Sequence, residues 1–185
     1  MPVPAPDPSK LPAGKPAYKL IELEQTVENA QVFHDAIDEL KRNNRFSQAV
    51  YVHDADEYVN YDMYLTEDGK ARFAIEDGDN LISVFSYAGK RAGHSLVQSA
   101  VDRGARRLDC YDIEHHLPKL YGAHGFKEIA RAKFDRNEAD PDWDYEHLHE
   151  PDVIAMAITK KQPAEVPYVK YPAALAMAKE ASKNL

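Results

Sequence analysis

Three short runs rich in apolar residues lie between positions 61 and 87, and they constrain the fold more than any other feature. Asp68-Gly69 and Asp77-Gly78 separate the runs, which span 61–65, 70–75 and 81–87. An Asp-Gly pair favours the tight turn of a β-hairpin, because glycine adopts a positive φ without a steric penalty. The pattern therefore predicts an antiparallel meander of three strands in the middle of the chain.

The hydrophobic period changes from two to about 3.6 after the meander. Leu96, Val97, Ala100 and Val101 mark one face of a helix, and Gly104 lies where a left-handed C-terminal cap is expected. Alternation resumes at 108–112. A strand, a helix and a strand in this order predict a crossover unit, which normally makes its two strands parallel.

The remaining elements complete a mixed fold. Thr26 is placed to cap a helix whose apolar positions at helical spacing are Val32, Phe33, Ala36, Ile37 and Leu40. The other predicted elements are a first strand at 17–23, a short helix at 118–124 and strands at 126–134 and 153–159. This order predicts an α/β (α+β) fold with a mixed, mostly antiparallel central sheet and helices on both faces.

Composition separates both ends of the chain from this domain. Residues 1–16 contain six prolines and little to bury, so we expect an extended, mobile arm. Residues 162–185 form a tail whose alanine-rich stretch at 173–181 favours a short helix. The expected organisation is one domain at 17–161 between two tails, and the tails are candidate contacts for a protein partner.

Charge and composition restrict the partners. The 185 residues carry a formal net charge of -8, which argues against nucleic-acid binding and favours a cationic or amine-bearing partner. No apolar run is long enough to span a membrane and no signal peptide is recognisable, so we expect a cytoplasmic protein. Cys110 is the single cysteine and lies in an alternating run, which is typical of a small buried hydrophobe.

Two local motifs carry chemistry. The first is Gly89-Lys90-Arg91-Ala92-Gly93-His94-Ser95-Leu96, between a strand and a helix. A glycine there lets the backbone approach a ligand, and the amide groups at a helix N-terminus attract an anion. The second is Leu120-Tyr121-Gly122-Ala123-His124-Gly125-Phe126, a short helix that turns into the next strand.

The two motifs and the order of elements resemble the GNAT (Gcn5-related N-acetyltransferase) superfamily over roughly the central two thirds of the chain, a domain-sized span. The family's pyrophosphate loop reads Gln or Arg, two residues, Gly, one residue, then Gly or Ala. Lys90, Gly93 and Ser95 occupy these positions here, so the first and last depart from the pattern. Residues 143–158 also resemble the end of GNAT-like proteins encoded by phages and prophages.

The resemblance implies an N-acyltransferase that uses acetyl-CoA as cosubstrate and moves an acetyl group to an amine of a small molecule or protein. It implies that the loop holds the pyrophosphate through Lys90, Arg91, Ala92, Gly93, His94 and Ser95. It also implies backbone contacts to the cofactor from the strand at Val84, Phe85 and Ser86. Tyr121 takes the position of the acid that protonates the departing thiolate.

The general base stays open among six residues near the expected cleft: Glu76, Asp77, Asp112, Glu114, His115 and His116. Asp112 is the first choice because it ends a strand of the crossover unit, and ligands usually bind at the ends of such strands. His115 is the second, because imidazole titrates near neutrality. The family often has Asn near the position of Glu114, and this departure puts a cofactor contact in doubt.

Besides the enzyme, we consider a metal site and a second class of function. The acidic and imidazole groups Asp144, Glu146, His147, His149 and Glu150 do not match a zinc spacing, so we expect a polar loop and no metal. A catalytically degenerate GNAT domain that serves as a binding or structural module is the second class of function. No feature of the sequence identifies the acceptor, because specificity lies in variable loops.

Overall fold

The computed structural model describes residues 1–43, 51–87, 89–161 and 163–184. Within these ranges the chain forms eight strands and six α-helices, which confirms the mixed fold class. It divides into two compact units, Met1–Ala105 and Arg106–Leu185. No helix of the described ranges combines the length and the apolar character that a bilayer span requires.

The elements follow the predicted order with a few additions. The first unit contains β1 (Pro2–Val3), a 3-10 helix (Pro8–Lys10), β2 (Leu20–Leu23), α1 (Val27–Asn43), α2 (Ala55–Tyr58), β3 (Asp62–Thr66), β4 (Ala71–Glu76), β5 (Asn80–Ser86) and α3 (Gly93–Asp102). The second unit contains β6 (Arg107–Tyr111), α4 (His116–Gly122), β7 (Phe126–Ala132), α5 (Tyr145–Leu148), β8 (Val153–Ile158) and α6 (Tyr171–Ala181). Neither α2 nor α5 is predicted, because four residues are too few for a helical period.

The strands of the first unit pair antiparallel in the order β1, β2, β3, β4, β5. This arrangement confirms the predicted meander, and Gly69 and Gly78 adopt positive φ angles of 71° and 80° in its turns. The pairing of β4 with β5 shifts register between Arg72 and Ala74. Ser83 lies at this irregularity and has a φ of 54°, which is unusual for a residue with a side chain.

Helix α1 packs its apolar face on this sheet. The side chains at the contact are buried and form one core: Ala30, Phe33, Ile37, Tyr58, Met63, Ala74 and Phe85. Thr26 caps α1 as predicted, because its Oγ1 accepts the N–H of Asn29 at 3.1 Å. The prediction that Val32 shares the packed face is wrong, since it is 63% exposed. The side chain of Leu40 lies outside the described part of the structure.

The N-terminal segment corrects a second prediction. Residues 1–16 do bury apolar surface, because β1 pairs with β2 and the side chains of Val3 and Leu11 are buried. Proline disfavours the interior of a helix or a sheet but is compatible with an edge strand, which is the position of β1. The apolar residues between the prolines therefore attach this segment to the first unit.

The strands of the second unit pair antiparallel in the order β6, β8, β7. Helix α6 forms in the alanine-rich tail as predicted and packs Ala174 and Ala178 against small side chains of β7 and β8. On another part of this unit Trp143 is buried between Tyr111 and Phe134, at ring distances of 4.9 and 5.2 Å. Its indole N–H donates to the carbonyl of His149 at 2.9 Å.

Candidate functional site

The glycine loop of the first unit leads directly into α3. Ala92 is the N-cap and has no side-chain oxygen, so no side chain caps this helix. The first hydrogen bond of the helix runs from the N–H of Leu96 to the carbonyl of Ala92 at 2.9 Å. The N–H groups that precede Leu96 cannot be paired within the helix, and together with the helix dipole they suit an anion.

The positive charge of Lys90 is compensated within the first unit. Its Nζ lies 2.6 Å from Asp68 Oδ2 and 4.0 Å from the centre of the Tyr18 ring. The hydrogen bond from Lys90 holds the pKa of Asp68 well below its usual range, and the hydroxyl of Thr66 and the N–H of Lys70 add to this effect. Asp68 is therefore ionised at neutral pH. Of the two basic residues of the loop, Arg91 is the one with an exposed side chain.

The N-terminal segment, taken through to Tyr18, contacts this loop. The N–H of Tyr18 donates to Ser95 Oγ at 2.9 Å, and the Tyr18 hydroxyl donates to the carbonyl of Lys90 at 2.8 Å. The guanidinium of Arg91 donates to the carbonyl of Gly14 at 3.1 Å. Tyr18 therefore contacts two oxygen atoms of the loop. Neither of the two Tyr18 contacts involves an N–H group of the loop.

Strand β5 brings Val84, Phe85 and Ser86 to the stretch before the loop. Phe85 is buried in the core of the first unit, whereas Val84 and Ser86 are half-buried. Ser83 precedes them at the irregularity, and its Oγ lies 2.8 Å from the hydroxyl of Tyr58. The sequence does carry a signal for Ser83, because a polar residue falls on the buried face of the run between Leu81 and Phe85.

In the second unit Tyr121 lies on α4 and is only 6% exposed. Its ring meets that of Phe126 nearly edge-on at 6.1 Å. Burial raises the pKa of Tyr121 far above that of a free phenol, and the neighbouring Cys110 and Asp109 raise it further. The phenol is therefore protonated at every ordinary pH, so it can act as a donor or acid but not as a base.

Asp112 and His115 lie close together. They are the first and second choices for the general base. Asp112 Oδ1 is 2.9 Å from His115 Nδ1, and the carboxylate side chain is 8% exposed whereas the imidazole is 80% exposed. Glu114 and His115 have consecutive positive φ angles of 52° and 61° between β6 and α4. The imidazole presents Nδ1, and not Nε2, to the carboxylate.

Arg131 on β7 fixes the Asp112 carboxylate from the other side. Its guanidinium contacts Asp112 Oδ2 at 3.0 Å, Glu128 Oε1 at 2.7 Å and Asp152 Oδ2 at 3.3 Å. Partial burial alone would lower the pKa of Arg131, but its hydrogen bond to Asp112 and the other carboxylates raise it above the usual value. The sequence does not predict this residue, because Asp112 and Arg131 are 19 positions apart.

His115 and Arg131 also line a cleft of about 450 Å³ beside α4 and β7. Its other walls are apolar and charged side chains, with Phe126, Met156 and Glu128 among them. The exposed imidazole therefore faces a space that a small molecule can enter. A cleft with one imidazole, one guanidinium, one ammonium and one carboxylate suits a polar ligand.

The other candidate bases have separate positions. Glu76 ends β4, and Asp77 follows it in a turn with a φ of 55°. Glu114 pairs with His116, where Oε2 lies 3.4 Å from Nε2 on an exposed surface. Neither pair lies within the Asp112, His115 and Arg131 arrangement.

Polar side chains between positions 144 and 150 make hydrogen bonds and an ion pair with other protein groups. Asp144 accepts the N–H of His147 at the start of α5 and lies 2.8 Å from His147 Nδ1, and Glu150 binds Arg136 at 2.8 Å. Over the described ranges no group of three potential ligands is arranged for a metal ion. Burial raises the pKa of the Cys110 thiol well above its usual value, which makes this cysteine a poor nucleophile.

No protein-family model matches the sequence, and no curated protein matches it. Solved structures that are similar include acetyltransferases of the GNAT family. One is from Streptococcus pneumoniae, with 17% identity over 74% of this chain and 97% of that chain and a TM-score of 0.49. The ribosomal L7/L12 alpha-N-protein acetyltransferase RimL, solved with coenzyme A, has 13% identity over 76% and 93%, with a TM-score of 0.47. The microcin C7 self-immunity acetyltransferase MccE, solved with acetyl-CoA and AMP, has 12% identity over 75% and 92%, with a TM-score of 0.42.

Proposed function

We propose that the protein is an N-acyltransferase of the GNAT type that transfers an acetyl group from acetyl-CoA to an amine. The observation that carries this proposal is the glycine loop at the N-terminus of α3, where no side chain caps the helix. Arg91, Ala92, Gly93, His94 and Ser95 then hold the pyrophosphate through their backbone, and the backbone of Val84, Phe85 and Ser86 holds the acyl end. Tyr18 engages the carbonyl of Lys90 and the hydroxyl of Ser95, and neither of these contacts uses an N–H group of the loop.

The residues of the second unit supply the proton transfers. Acetyl-CoA, when bound, provides a thioester as acetyl donor. The Asp112 and His115 pair takes a proton from the amine nitrogen as the new C–N bond forms. Tyr121 gives its proton to the thiolate when the C–S bond breaks, and a phenol carries this proton at neutral pH.

Calorimetric titration with acetyl-CoA tests the first half of the proposal. Saturable binding of one equivalent is the expected result, and a screen of primary amines with a thiol reagent that detects released CoA then tests transfer. A folded protein that binds no acetyl-CoA would exclude the acyltransferase.

A degenerate GNAT domain that binds a partner and no longer catalyses is the second candidate, with a phage origin as the resemblance of residues 143–158 suggests. The contact of the N-terminal segment with the loop and the pairing of Lys90 with Asp68 favour it. The two candidates differ in what this segment does. In the enzyme it stabilises the loop for the cofactor, whereas in the degenerate domain it covers the loop.

Tyr18→Phe separates these roles. The variant keeps the ring beneath Lys90 but loses the hydroxyl contact to the Lys90 carbonyl, a bond worth about 1 kcal/mol. For the enzyme we expect the Kd for acetyl-CoA to rise about threefold to tenfold by calorimetry, because 1.4 kcal/mol corresponds to tenfold. Tighter binding in the variant would instead identify the segment as a cover. Tyr171→Phe is the matched control, since it removes a hydroxyl contact to Asp109 in the second unit.

Asp112→Asn tests the base. The amide keeps the size of the side chain but removes the negative charge that lies 2.9 Å from His115 Nδ1. We expect kcat for the best amine of the screen to fall about 10-fold to 100-fold, within the range of general-base effects, with the Kd for acetyl-CoA unchanged. Asp152→Asn removes another carboxylate from Arg131, so an equal loss in this control would contradict the assignment.

A further inference from the structure

His53 lies in the first unit among three tyrosine rings. The ring centres of Tyr51, Tyr58 and Tyr61 are 4.8, 5.6 and 5.5 Å from that of His53, and each pair meets nearly edge-on. The His53 side chain is only 15% exposed. An imidazole held from three sides has a fixed orientation, which a group that transfers protons requires.

A carboxylate fixes one nitrogen of this imidazole. His53 Nδ1 lies 3.2 Å from Glu57 Oε2, and the other oxygen of Glu57 accepts the N–H of Asp54 at the start of α2. The hydrogen bond with His53 lowers the pKa of Glu57, and the N–H of Asp54 adds to this, so the carboxylate is ionised at neutral pH. With Nδ1 against the carboxylate, Nε2 is the nitrogen left for a substrate.

The surroundings of Tyr61 are acidic. Burial raises the pKa of this phenol, and the negative charges of Glu76, Glu57 and Asp77 raise it further. The region therefore combines aromatic faces with carboxylates contributed by α2, by the end of β4 and by the following turn. An ammonium group is the ligand that aromatic rings and carboxylates both attract.

The cluster is connected to the strand that the proposed reaction uses. The N–H of His53 donates to the Tyr58 hydroxyl at 3.2 Å, and that hydroxyl lies 2.8 Å from Ser83 Oγ. Ser83 has a positive φ of 54° and directly precedes Val84 on β5. Backbone conformations of this cost concentrate at functional sites, where the surrounding contacts maintain them.

We propose that Tyr51, His53, Glu57 and Tyr61, the His53 cluster, bind the acceptor as a cationic primary amine, and that His53 removes its first proton. This inference rests on the proposed function. An ammonium nitrogen gives up two protons in all, one before it attacks and one as the amide forms. Nε2 of His53 takes the first, which frees the nitrogen lone pair for the attack.

Binding is tested without acetyl-CoA, so its outcome is independent of the cofactor. We expect n-butylammonium to shift the NMR resonances of the His53 ring in a saturable manner, whereas n-butanol, which has no charge, leaves them unchanged. Glu57→Gln should weaken this binding about tenfold, on the scale of one lost charge contact. Equal shifts with butanol, or equal binding by Glu57→Gln, would overturn the amine site.

Turnover at different pH values tests the base. At pH 7 His53→Gln should lower kcat/KM for the same amine about 10-fold to 100-fold. The loss should disappear as the pH approaches about 10.5, the region where primary amines lose their proton without help. His34→Gln is the matched control, because His34 lies beside Asp35 on α1 of the same unit. A loss that is equal at every pH would show a structural role and contradict the assignment.

Discussion

Replacing Gly93 with glutamate should abolish measurable binding of acetyl-CoA, with the Kd raised by at least about 100-fold. That factor corresponds to about 2.7 kcal/mol, which a carboxylate placed among the loop amides can supply by repelling the pyrophosphate. The fold should survive, because an acidic side chain in the first turn of α3 is favourable for the helix itself. Calorimetry on the variant and the wild type, with circular dichroism for the fold, measures the effect.

Gly93→Gln is the control for this experiment. Glutamine has the same size as glutamate without the charge, so it separates repulsion from loss of space at the loop. Binding that survives in the glutamine variant and is lost in the glutamate variant locates the anion at this helix end. Wild-type affinity in Gly93→Glu would place the cofactor elsewhere.

Removing the hydroxyl of Tyr121 should reduce kcat about 100-fold to 1000-fold, within the range of general-acid catalysis. The Kd for acetyl-CoA should stay within about twofold of the wild type, because the phenol acts only when the thiolate departs. The raised pKa of Tyr121 also predicts that the wild-type enzyme loses no activity at alkaline pH through ionisation of this group.

Steady-state kinetics of Tyr121→Phe beside Tyr111→Phe provides the comparison. Tyr111 is likewise a phenol whose pKa is raised chiefly by burial, but its ring contacts Phe134 and Trp143. An equal loss of kcat in both variants would indicate damage to the second unit. A wild-type kcat in Tyr121→Phe would remove the acid from the mechanism.

The sequence predicts the features that depend on neighbours along the chain. The meander follows from three short apolar-rich runs and from two Asp-Gly turns, and the start of α3 follows from a change of period next to a glycine. The proximity of Asp112 and His115 is equally local, since three positions separate them. Val32 shows the limit of this approach. Helical spacing places it near the packed face, but the spacing does not determine how wide that face is, and Val32 is exposed.

The features that the sequence does not predict arise from contacts between distant positions. Tyr18 reaches the loop across 77 positions, and Arg131 reaches Asp112 across 19. The irregularity at Ser83 depends on how two strands pair. In each case tertiary packing decides the contact, and no local pattern records it.

Trp143 is the single tryptophan of the chain and is buried in the second unit. Its intrinsic fluorescence therefore reports on the unit Arg106–Leu185. Far-ultraviolet circular dichroism, in contrast, receives signal from the helices of both units. Denaturation curves that coincide for the two probes would show that the units unfold as one cooperative system, and separated curves would give each unit its own stability.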